Sequence, residues 1–301
     1  MEIIEFNYDN TPENKENIVL LLGYFDAIHL GHQLMVNKAK EFNMKIAVMS
    51  FDQPPSFVLK KAISNLSLTS TADKAEIFES LGVDYFYILH FDKEVSELTR
   101  FEFVEKVLQK INPKMIICGE DYRFGNLGSG TPNYLKQFFD VTVVDLLFDG
   151  SNKISSRDIA TLVKERKVKE AGRLMGRNYR VFGIVKHGLG NGRKLGFPTA
   201  NIELDYPYIL PGEGVYLGYG VLEDKKYPAI IDIGRHPTFR ELQFPRLEVH
   251  FLDFDKNLYG QYVYVEFVDY IRDNIQFYTP EELSAQLEKD KAYALEYFKI
   301  K

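Results

Sequence analysis

The stretch from Ile18 to His32, IVLLLGYFDAIHLGH, decides the fold of the first half of the chain. Its first residues are apolar, as in a buried β-strand, and Gly23 ends this run before a helical pattern begins at His32. A strand that leads through a glycine turn into a helix is typical of an α/β domain. Because the first N–H groups of a helix are unpaired and carry positive partial charge, the turn predicts a phosphate-binding site.

The rest of the first half repeats this alternation of strand and helix. Apolar runs typical of strands lie at residues 18–23, 45–51, 83–89, 114–119 and 141–147. Helical patterns lie at 32–42, 71–81, 99–111 and 131–139. The alternation predicts a mainly parallel, doubly wound sheet of the Rossmann type, which binds ligands beyond the carboxyl ends of its strands. The turns at 23–32 and 119–130 are therefore the expected ligand sites.

The second half has a different pattern, with short runs rich in Val, Ile, Tyr and Phe. These runs lie at residues 179–186, 214–222, 227–233, 246–253 and 261–270. Such spacing predicts an all-β domain, a small barrel or a sandwich. One helix is expected to close the chain over 280–298, with Thr279 as its N-cap and Pro280 in its first turn.

A basic segment with a helical pattern joins the two halves at residues 155–176. The cations of this region are Lys164, Arg166, Lys167, Lys169, Arg173 and Arg177. Glu165 and Glu170 are interspersed among them, which favours a pair of solvated connecting helices over a nucleic-acid-binding surface.

Composition restricts the class of protein. The chain has 301 residues, 45% of them hydrophobic, which is enough for two packed domains. A single cysteine excludes an internal disulfide, and the acidic beginning lacks the features of a signal peptide. No apolar run reaches the roughly 18 residues that span a bilayer. The net charge is −6, so we expect a cytoplasmic protein that binds neither nucleic acid nor membranes.

His29 and His32 are the first candidate functional residues. Three positions apart at a helix start, they can face one side of the turn and donate hydrogen bonds to phosphate oxygens, and the neighbouring glycines let a nucleotide approach closely. A zinc pair and two structural histidines are the alternatives. A zinc site would need a third ligand, for which Cys118 and His90 are the obvious residues in this half.

The pattern Gly-x-Phe-Asp-x-x-His-x-Gly-His at residues 23–32 resembles the signature of the nucleotidyltransferase superfamily. The resemblance implies that both histidines are catalytic. They would stabilise the α-phosphate of a nucleotide while pyrophosphate leaves, by positioning and charge rather than through a protein nucleophile. It also implies contacts with the nucleotide phosphates for Gly23, Phe25, Asp26 and Gly31.

Residues 154–160, ISSRDIA, resemble a second motif of that superfamily, Ile-Ser-Ser-Thr-x-x-Arg. Ser155 and Ser156 match it and are implied to bind phosphate. Arg157 stands in place of the Thr, and Ala160 stands in place of the Arg that contacts phosphates. Our hypothesis is that Arg157, one helical turn earlier, supplies the missing charge at the ATP phosphates.

Residues 119–125, GEDYRFG, resemble the segment Gly-x-Asp-Phe-Arg-Phe-Gly of bacterial FAD synthetases. The resemblance implies that Asp121 and Phe124 bind the flavin, whereas the residues alone favour an ordinary loop bounded by glycines. Residues 50–55, SFDQPP, lie where that family has Thr-Phe-x-Pro-His-Pro, and they lack its histidine.

In the second half, residues 192–202 read GRKLGFPTANI. Small residues allow close approach to phosphates, and Thr and Asn oxygens suit Mg²⁺, but the ending of a P-loop is missing and the pattern alone favours a turn. The string resembles the riboflavin kinase signature Gly-x-x-Leu-Gly-Phe-Pro-Thr-Ala-Asn. The resemblance implies that Thr199 and Asn201 hold Mg²⁺. It further implies that the ATP phosphates are bound by Gly192, Gly196, Pro198, Thr199 and Asn201.

Later strings resemble the same family in the same order, at 211–216, 233–239, 247–254, 258–260 and 271–290. They imply that Glu248 is the base that takes a proton from the terminal ribityl hydroxyl of riboflavin. They also imply that Arg272 lies near the flavin or the phosphates. On the residues alone, Glu248 would be a strand carboxylate paired with Arg246 or with a cross-strand Lys.

Residues 15–295 together resemble the bacterial bifunctional riboflavin kinase/FMN adenylyltransferases, also called FAD synthetases. The resemblance implies a nucleotidyltransferase-like domain at 1–160, a helical linker at 161–177 and a riboflavin-kinase-type β-barrel at 178–301. It implies two ATP- and Mg²⁺-dependent reactions, riboflavin to FMN and FMN to FAD. The expected partners are these small molecules, and nothing in the sequence indicates the oligomeric state.

Three alternatives stay open. One is a monofunctional riboflavin kinase whose first domain is impaired by Arg157 and Ala160. Another is an adenylyltransferase alone, which the intact kinase strings disfavour. The third is a flavin-binding regulatory protein that contacts RNA through the basic residues at 164–177.

Overall fold

The computed structural model describes residues 1–188, 196–223, 225–234, 245–254 and 256–300. The chain folds as two units, Met1–Ser156 and Arg157–Lys301. The segment at 161–177, which the sequence predicts as a linker, belongs to the second unit.

The first unit is built on a six-stranded sheet with the order β1-β4-β3-β2-β5-β6, in which all neighbours are parallel. The strands are β1 (Glu2–Phe6), β2 (Ile18–Leu22), β3 (Lys45–Phe51), β4 (Tyr85–Leu89), β5 (Met115–Gly119) and β6 (Asp140–Val144). The chain runs from β2 to β3 and β4 on one side and then places β5 on the other side of β2. The carboxyl ends of β2 and β5 therefore flank the point where the strand order reverses, where sheets of this kind bind ligands.

Helices cover both faces of this sheet. They are α1 (Leu30–Lys40), α2 (Pro55–Val58), α3 (Thr71–Ser80), α4 (Lys93–Glu97), α5 (Arg100–Phe103), α6 (Gln109–Ile111) and α7 (Pro132–Leu135). Residues of α1 and α3 pack with Val19 and Leu21, whereas residues of α5, α6 and α7 pack with Leu20 and Leu22. Burial of both faces of β2 is what its uninterrupted apolar run predicts.

The first unit departs from the sequence prediction at a few elements. The sequence misses β1, because Glu2 and Glu5 interrupt its apolar residues. The single helix predicted over 99–111 consists of α5 and α6 joined by a π-helical segment, Val104–Leu108. The helix predicted over 131–139 ends at Leu135, because the chain must enter β6 at Asp140. A short hairpin of β7 (Phe148–Asp149) and β8 (Asn152–Lys153) follows the sheet.

The second unit contains a closed antiparallel barrel with the order β10-β13-β12-β11-β14-β9. Its strands are β9 (Tyr179–Lys186), β10 (Ala200–Leu204), β11 (Gly214–Leu222), β12 (Lys225–Gly234), β13 (Arg246–Phe251) and β14 (Tyr262–Arg272). The prediction of a small barrel is confirmed, and the sandwich is excluded. The sequence misses β10 because that strand begins within the string at 192–202, whose pattern favours a turn.

Among the described residues, three helices accompany the barrel: α8 (Ser156–Lys164), α9 (Val168–Met175) and α10 (Pro280–Phe298). The Thr279 hydroxyl oxygen accepts a hydrogen bond from the Glu282 backbone N–H at 3.2 Å, which caps α10 as the sequence predicts. Within the residues that the structure describes, no helix combines the length and the apolar character needed to cross a membrane.

Candidate active sites

The loop between β2 and α1 has an unusual backbone. Phe25, Ala27 and Ile28 have φ angles of 54°, 65° and 42°, a left-handed conformation that costs free energy for residues with a side chain. Three such residues within four positions need support from the surrounding structure.

Asp26 provides part of that support. Its carboxylate accepts hydrogen bonds from the backbone N–H groups of Leu68 and Thr69, at 3.0 and 3.1 Å, and from the Thr69 hydroxyl at 3.0 Å. Burial raises the pKa of this carboxyl, while the Lys74 ammonium and the donated hydrogen bonds oppose the shift. These contacts make Asp26 an anchor of the loop.

The two histidines of the motif lie side by side at the start of α1. His29 is the N-cap residue, and its ring stacks on that of His32 with 3.7 Å between the centroids. Phe25 contacts the His32 ring edge-on at 5.0 Å. A Cβ at Gly31 would lie 3.1 Å from the His29 ring, so glycine here lets that ring lie close to the backbone.

A cavity of about 340 Å³ lies at the carboxyl ends of the strands, as the sequence predicts for this sheet. Of the predicted site residues, it is lined by Gly23, Phe25, His29, Gly31, His32, Asp121, Ser155 and Ser156. The Ser156 hydroxyl donates a hydrogen bond to the Asp26 carbonyl at 2.6 Å and so joins the two predicted motifs. Segments that are far apart in the sequence thus meet in one cavity.

Three predicted residues do not line this cavity: Asp26, Phe124 and Arg157. Phe124 is buried, and its ring packs between those of Phe103 and Tyr122, at 5.5 and 5.8 Å. Arg157 is exposed on α8.

Lys153 is a cavity residue that the sequence reasoning missed. Its ammonium lies 2.5 Å from the Asp121 carboxylate, and both side chains line the cavity. The available signal was its position directly before the matched residues Ile154, Ser155 and Ser156. It places a positive charge in the cavity whose family motif has lost its arginine at Ala160.

A zinc site is not supported. Among the described residues, no three His, Cys, Asp or Glu side chains converge in a way that could hold a metal ion. His90 pairs with Asp52 at 3.1 Å, and burial raises the pKa of the Cys118 thiol to about 12.

A second cavity, of about 390 Å³, lies in the barrel unit. Thr199, Asn201, Glu248 and Arg272 all line it. Gly196 and Pro198 belong to the same segment but are not part of its lining, and Gly192 lies outside the described residues.

Strand register brings three polar residues together in this cavity. Glu248 on β13 is the direct partner of Asn201 on β10 and of Asp232 on β12, and all three line the cavity. The Pro198 carbonyl accepts a hydrogen bond from His250 Nδ1 at 2.8 Å, which fixes the segment before Thr199.

Glu248 is a paired strand carboxylate that also lies at the cavity, and its role as a base stays a prediction. Its Oε1 lies 2.9 Å from Arg246 Nη1, as expected for a strand ion pair, yet the carboxylate also lines the cavity. Burial raises the pKa of Glu248, and the nearby Asp232 adds to the shift, whereas Arg246 and a hydrogen bond with Thr199 oppose it. A carboxylate with a raised pKa is a better proton acceptor.

Arg272 is held firmly inside the protein. Its Nε and Nη2 donate to the buried Asp290 carboxylate at 3.0 and 2.6 Å, and Gln286 donates to the same carboxylate at 2.8 Å. This arrangement ties β14 to α10 and holds the guanidinium at the edge of the cavity.

Comparisons with known proteins match a family to each of the two units. A family model described as FAD synthetase matches residues 11–158, and one described as riboflavin kinase matches residues 175–298.

Curated relatives match nearly the whole chain. The chain is 36% identical to a bifunctional riboflavin kinase/FMN adenylyltransferase of Listeria monocytogenes, over 94% of this chain and 93% of that protein. It is 35% identical to the protein so named from Bacillus subtilis, over 95% and 94% of the two chains. It is 30% identical to the one from Escherichia coli K12, over 99% and 98%.

A solved structure shares the fold of nearly the whole chain. A chain described as a macrolide-efflux protein from Streptococcus pneumoniae is 32% identical, with a TM-score of 0.90 and coverage of 98% of this chain and 99% of that one. Two family models and relatives matched from end to end lead to one conclusion: this chain is a member of the bifunctional riboflavin kinase/FMN adenylyltransferase family.

Proposed function

We propose that this chain makes FAD in two steps, each in its own cavity. Riboflavin and ATP give FMN and ADP in the barrel unit, and FMN and a second ATP give FAD and pyrophosphate in the α/β unit. The observation that carries the proposal is that the residues implied for each reaction line a separate cavity, one in each unit.

In the kinase reaction, Glu248 is the general base. It takes the proton of the terminal ribityl hydroxyl as that oxygen attacks the γ-phosphorus of ATP; the bond from the γ-phosphorus to the bridging oxygen breaks, and ADP leaves. Arg246 holds the carboxylate in place, and burial makes it more basic.

The barrel cavity suits Mg²⁺. It offers the Thr199 hydroxyl, the Asn201 amide oxygen and the Glu248 and Asp232 carboxylates, and Mg²⁺ prefers such oxygen donors. We assign the ion to Thr199 and Asn201; when bound, it neutralises charge on the ATP phosphates. The two side chains orient the phosphates toward Glu248.

In the adenylyl-transfer reaction, an FMN phosphate oxygen attacks the α-phosphorus of ATP and pyrophosphate leaves, without a covalent protein intermediate. His29 and His32 donate hydrogen bonds to the phosphate oxygens as charge develops on them. Ser155, Ser156 and Lys153 hold the remaining phosphate oxygens, and Lys153 supplies the charge that Ala160 lacks. The presence of Lys153 in the cavity favours the bifunctional enzyme over a monofunctional kinase.

The RNA-binding alternative is weaker. Lys169 lies 2.8 Å from Asp269 of β14, Arg166 pairs with Asp273, and Lys167 pairs with Glu165. Arg166 and Lys169 thus attach this segment to the barrel strand β14 and the residue that follows it, and Lys167 is paired within the segment. Cytoplasmic location and the lack of a nucleic-acid partner stay predictions.

A chromatographic product assay tests the function. The protein is incubated with Mg²⁺ and ATP, and with riboflavin in one tube and FMN in another; we expect FMN and then FAD in the first and FAD in the second. Accumulation of FMN without FAD would support the monofunctional kinase instead. Unchanged flavin in both tubes would refute both activities and favour the flavin-binding protein.

A further inference from the structure

A lysine lies buried directly beneath the histidine loop. Lys74 is on α3, and only 1% of its surface is exposed. Its ammonium donates to the Tyr24 carbonyl at 2.8 Å and lies 3.7 Å from the centre of the Tyr24 ring. The Ser50 hydroxyl is 3.4 Å away. Burying an ammonium is costly, so these contacts must compensate for lost hydration.

The Tyr24 carbonyl is the point where the loop is fixed to the sheet. It accepts a second hydrogen bond, from the Ser50 hydroxyl of β3, at 2.7 Å. The left-handed residues Phe25, Ala27 and Ile28 follow immediately, and the catalytic pair His29 and His32 comes after them. A strained loop keeps one geometry only where the surrounding structure enforces it.

Charged groups from several elements surround Lys74. Asp26 of the loop and Asp52, at the end of β3, attract the ammonium. Asp52 is also paired with His90, and Asp73, the neighbour of Lys74 on α3, accepts hydrogen bonds from Ser70. Burial lowers the pKa of Lys74 to about 8, although the two attracting carboxylates favour the protonated form.

We propose that Lys74 is a positioning residue of the adenylyl-transfer site, whose ammonium holds the Tyr24 carbonyl and thereby sets the geometry of the loop that carries His29 and His32. The inference rests on the proposed adenylyl transfer. Lys74 does not line the cavity, so it acts through the loop and not on the substrate.

A pH dependence follows from this role. The protonated ammonium makes a charge-assisted hydrogen bond to the Tyr24 carbonyl and balances the charge of Asp26. Loss of its proton weakens that bond, because a neutral amine is a poorer donor. FMN adenylylation is therefore expected to fall as the pH rises through about 8, the pKa of Lys74 in the folded protein.

The test compares wild-type protein with Lys74→Met, which is one atom shorter, keeps an unbranched side chain and removes the charge. Lys93→Met is the matched control, since that side chain is 84% exposed in the same unit. Riboflavin phosphorylation, measured on the same samples, reports whether the barrel unit is active, and urea unfolding reports whether the α/β unit that contains Lys74 is folded. We expect Lys74→Met to lower kcat for FMN adenylylation by about 10-fold or more, with kinase activity within about twofold, and Lys93→Met to match the wild type.

The pH profile separates positioning from general stabilisation. The alkaline decrease in kcat near pH 8 is expected in wild type and Lys93→Met and absent from Lys74→Met. Ser50→Ala removes the second donor to the Tyr24 carbonyl but keeps the ammonium. We expect this variant to lose less kcat than Lys74→Met and to retain the alkaline decrease. It tests the proposal even if Lys74→Met fails to fold. The inference is wrong if Lys74→Met adenylylates FMN at the wild-type rate, or if its kcat still decreases near pH 8 as in the wild type. Either result leaves the proposed adenylyl transfer intact. Wild-type protein that makes no FAD overturns the proposed adenylyl transfer as well.

Discussion

Asn201 and Glu248 face each other as direct partners across the ladder between β10 and β13. On the other side of β13, Asp232 is the partner of Glu248, so neighbouring strands bring an amide and two carboxylates to one cavity. The proposed phosphate-binding residue and the proposed base are therefore held at a fixed separation by backbone hydrogen bonds. Neither needs a loop to bring it into position, which is the arrangement that catalysis by proximity requires.

The first prediction concerns the proposed base. Glu248→Gln keeps the size of the side chain and removes its basicity, so we expect FMN formation to fall about 10²–10⁴-fold. FMN-to-FAD conversion should be unchanged, because it takes place in the other unit. Glu203→Gln is the control, since this carboxylate on β10 is 67% exposed. Equal loss of both activities in a folded Glu248→Gln variant would contradict separate sites.

His29→Ala and His32→Ala are expected to impair FMN adenylylation and to spare riboflavin phosphorylation, the reverse of Glu248→Gln. Each removes one donor to the developing phosphate charge, so FMN adenylylation should fall by about 10²-fold or more while riboflavin phosphorylation persists. Both activities are measured on one sample by separating FMN and FAD. Because the two rings stack at 3.7 Å, the losses in the double variant are expected to be less than additive. Full additivity would indicate that the histidines act independently.

Two residues are candidates for the positive charge at the ATP phosphates in the α/β unit: Arg157, from the sequence motif, and Lys153, from the cavity lining. Lys153 lines the cavity, whereas Arg157 is exposed and outside its lining. We expect Lys153→Met to lower adenylylation about tenfold or more, and Arg157→Met to change it by less than about twofold. The measurement is initial rate against ATP concentration. A larger loss in Arg157→Met would restore the hypothesis drawn from the sequence motif.

The sequence predicted the fold class and indicated both candidate sites because the signals for them are local. The apolar run of β2, the strings at 23–32 and 192–202 and the cap at Thr279 each lie within about ten consecutive residues. What it missed depends on contacts between distant segments. Lys74 has no local pattern that separates it from surface lysines, and the anchoring role of Asp26 requires knowing that residues 68 and 69 lie beside it.

Gly188 provides a prediction for the barrel site. A Cβ at this position would lie 2.0 Å from the Asn201 amide nitrogen, so Gly188→Ala must displace that side chain. We expect KM for ATP in the kinase reaction to rise severalfold, because Asn201 is the proposed phosphate ligand. The melting temperature should change little, since a side-chain amide and not the backbone has to move. A rise in KM without any change in FMN adenylylation supports the assignment; an unchanged KM would argue against Asn201.

The last prediction concerns stability and follows from the buried ammonium. Burial lowers the pKa of Lys74 from an ordinary 10.5 to about 8, so between these values the unfolded chain binds a proton that the folded chain does not. The free energy of unfolding contributed by this group therefore rises with pH across that window, by up to about 3 kcal/mol. Lys74→Met has no ammonium at this position and so lacks this pH-dependent contribution.

Urea unfolding of both proteins, from about pH 7 to 10, should show the difference in unfolding free energy, wild type minus Lys74→Met, increasing with pH. FMN adenylylation by the wild type should decrease over the same window, since loop geometry depends on the protonated form. Opposite trends in stability and activity are what a positioning lysine requires. A lysine that affected only the stability of the fold would leave FMN adenylylation unchanged over this window as long as the protein stays folded. A stability difference that stays flat with pH would mean that the pKa of Lys74 is the same in the folded and the unfolded chain.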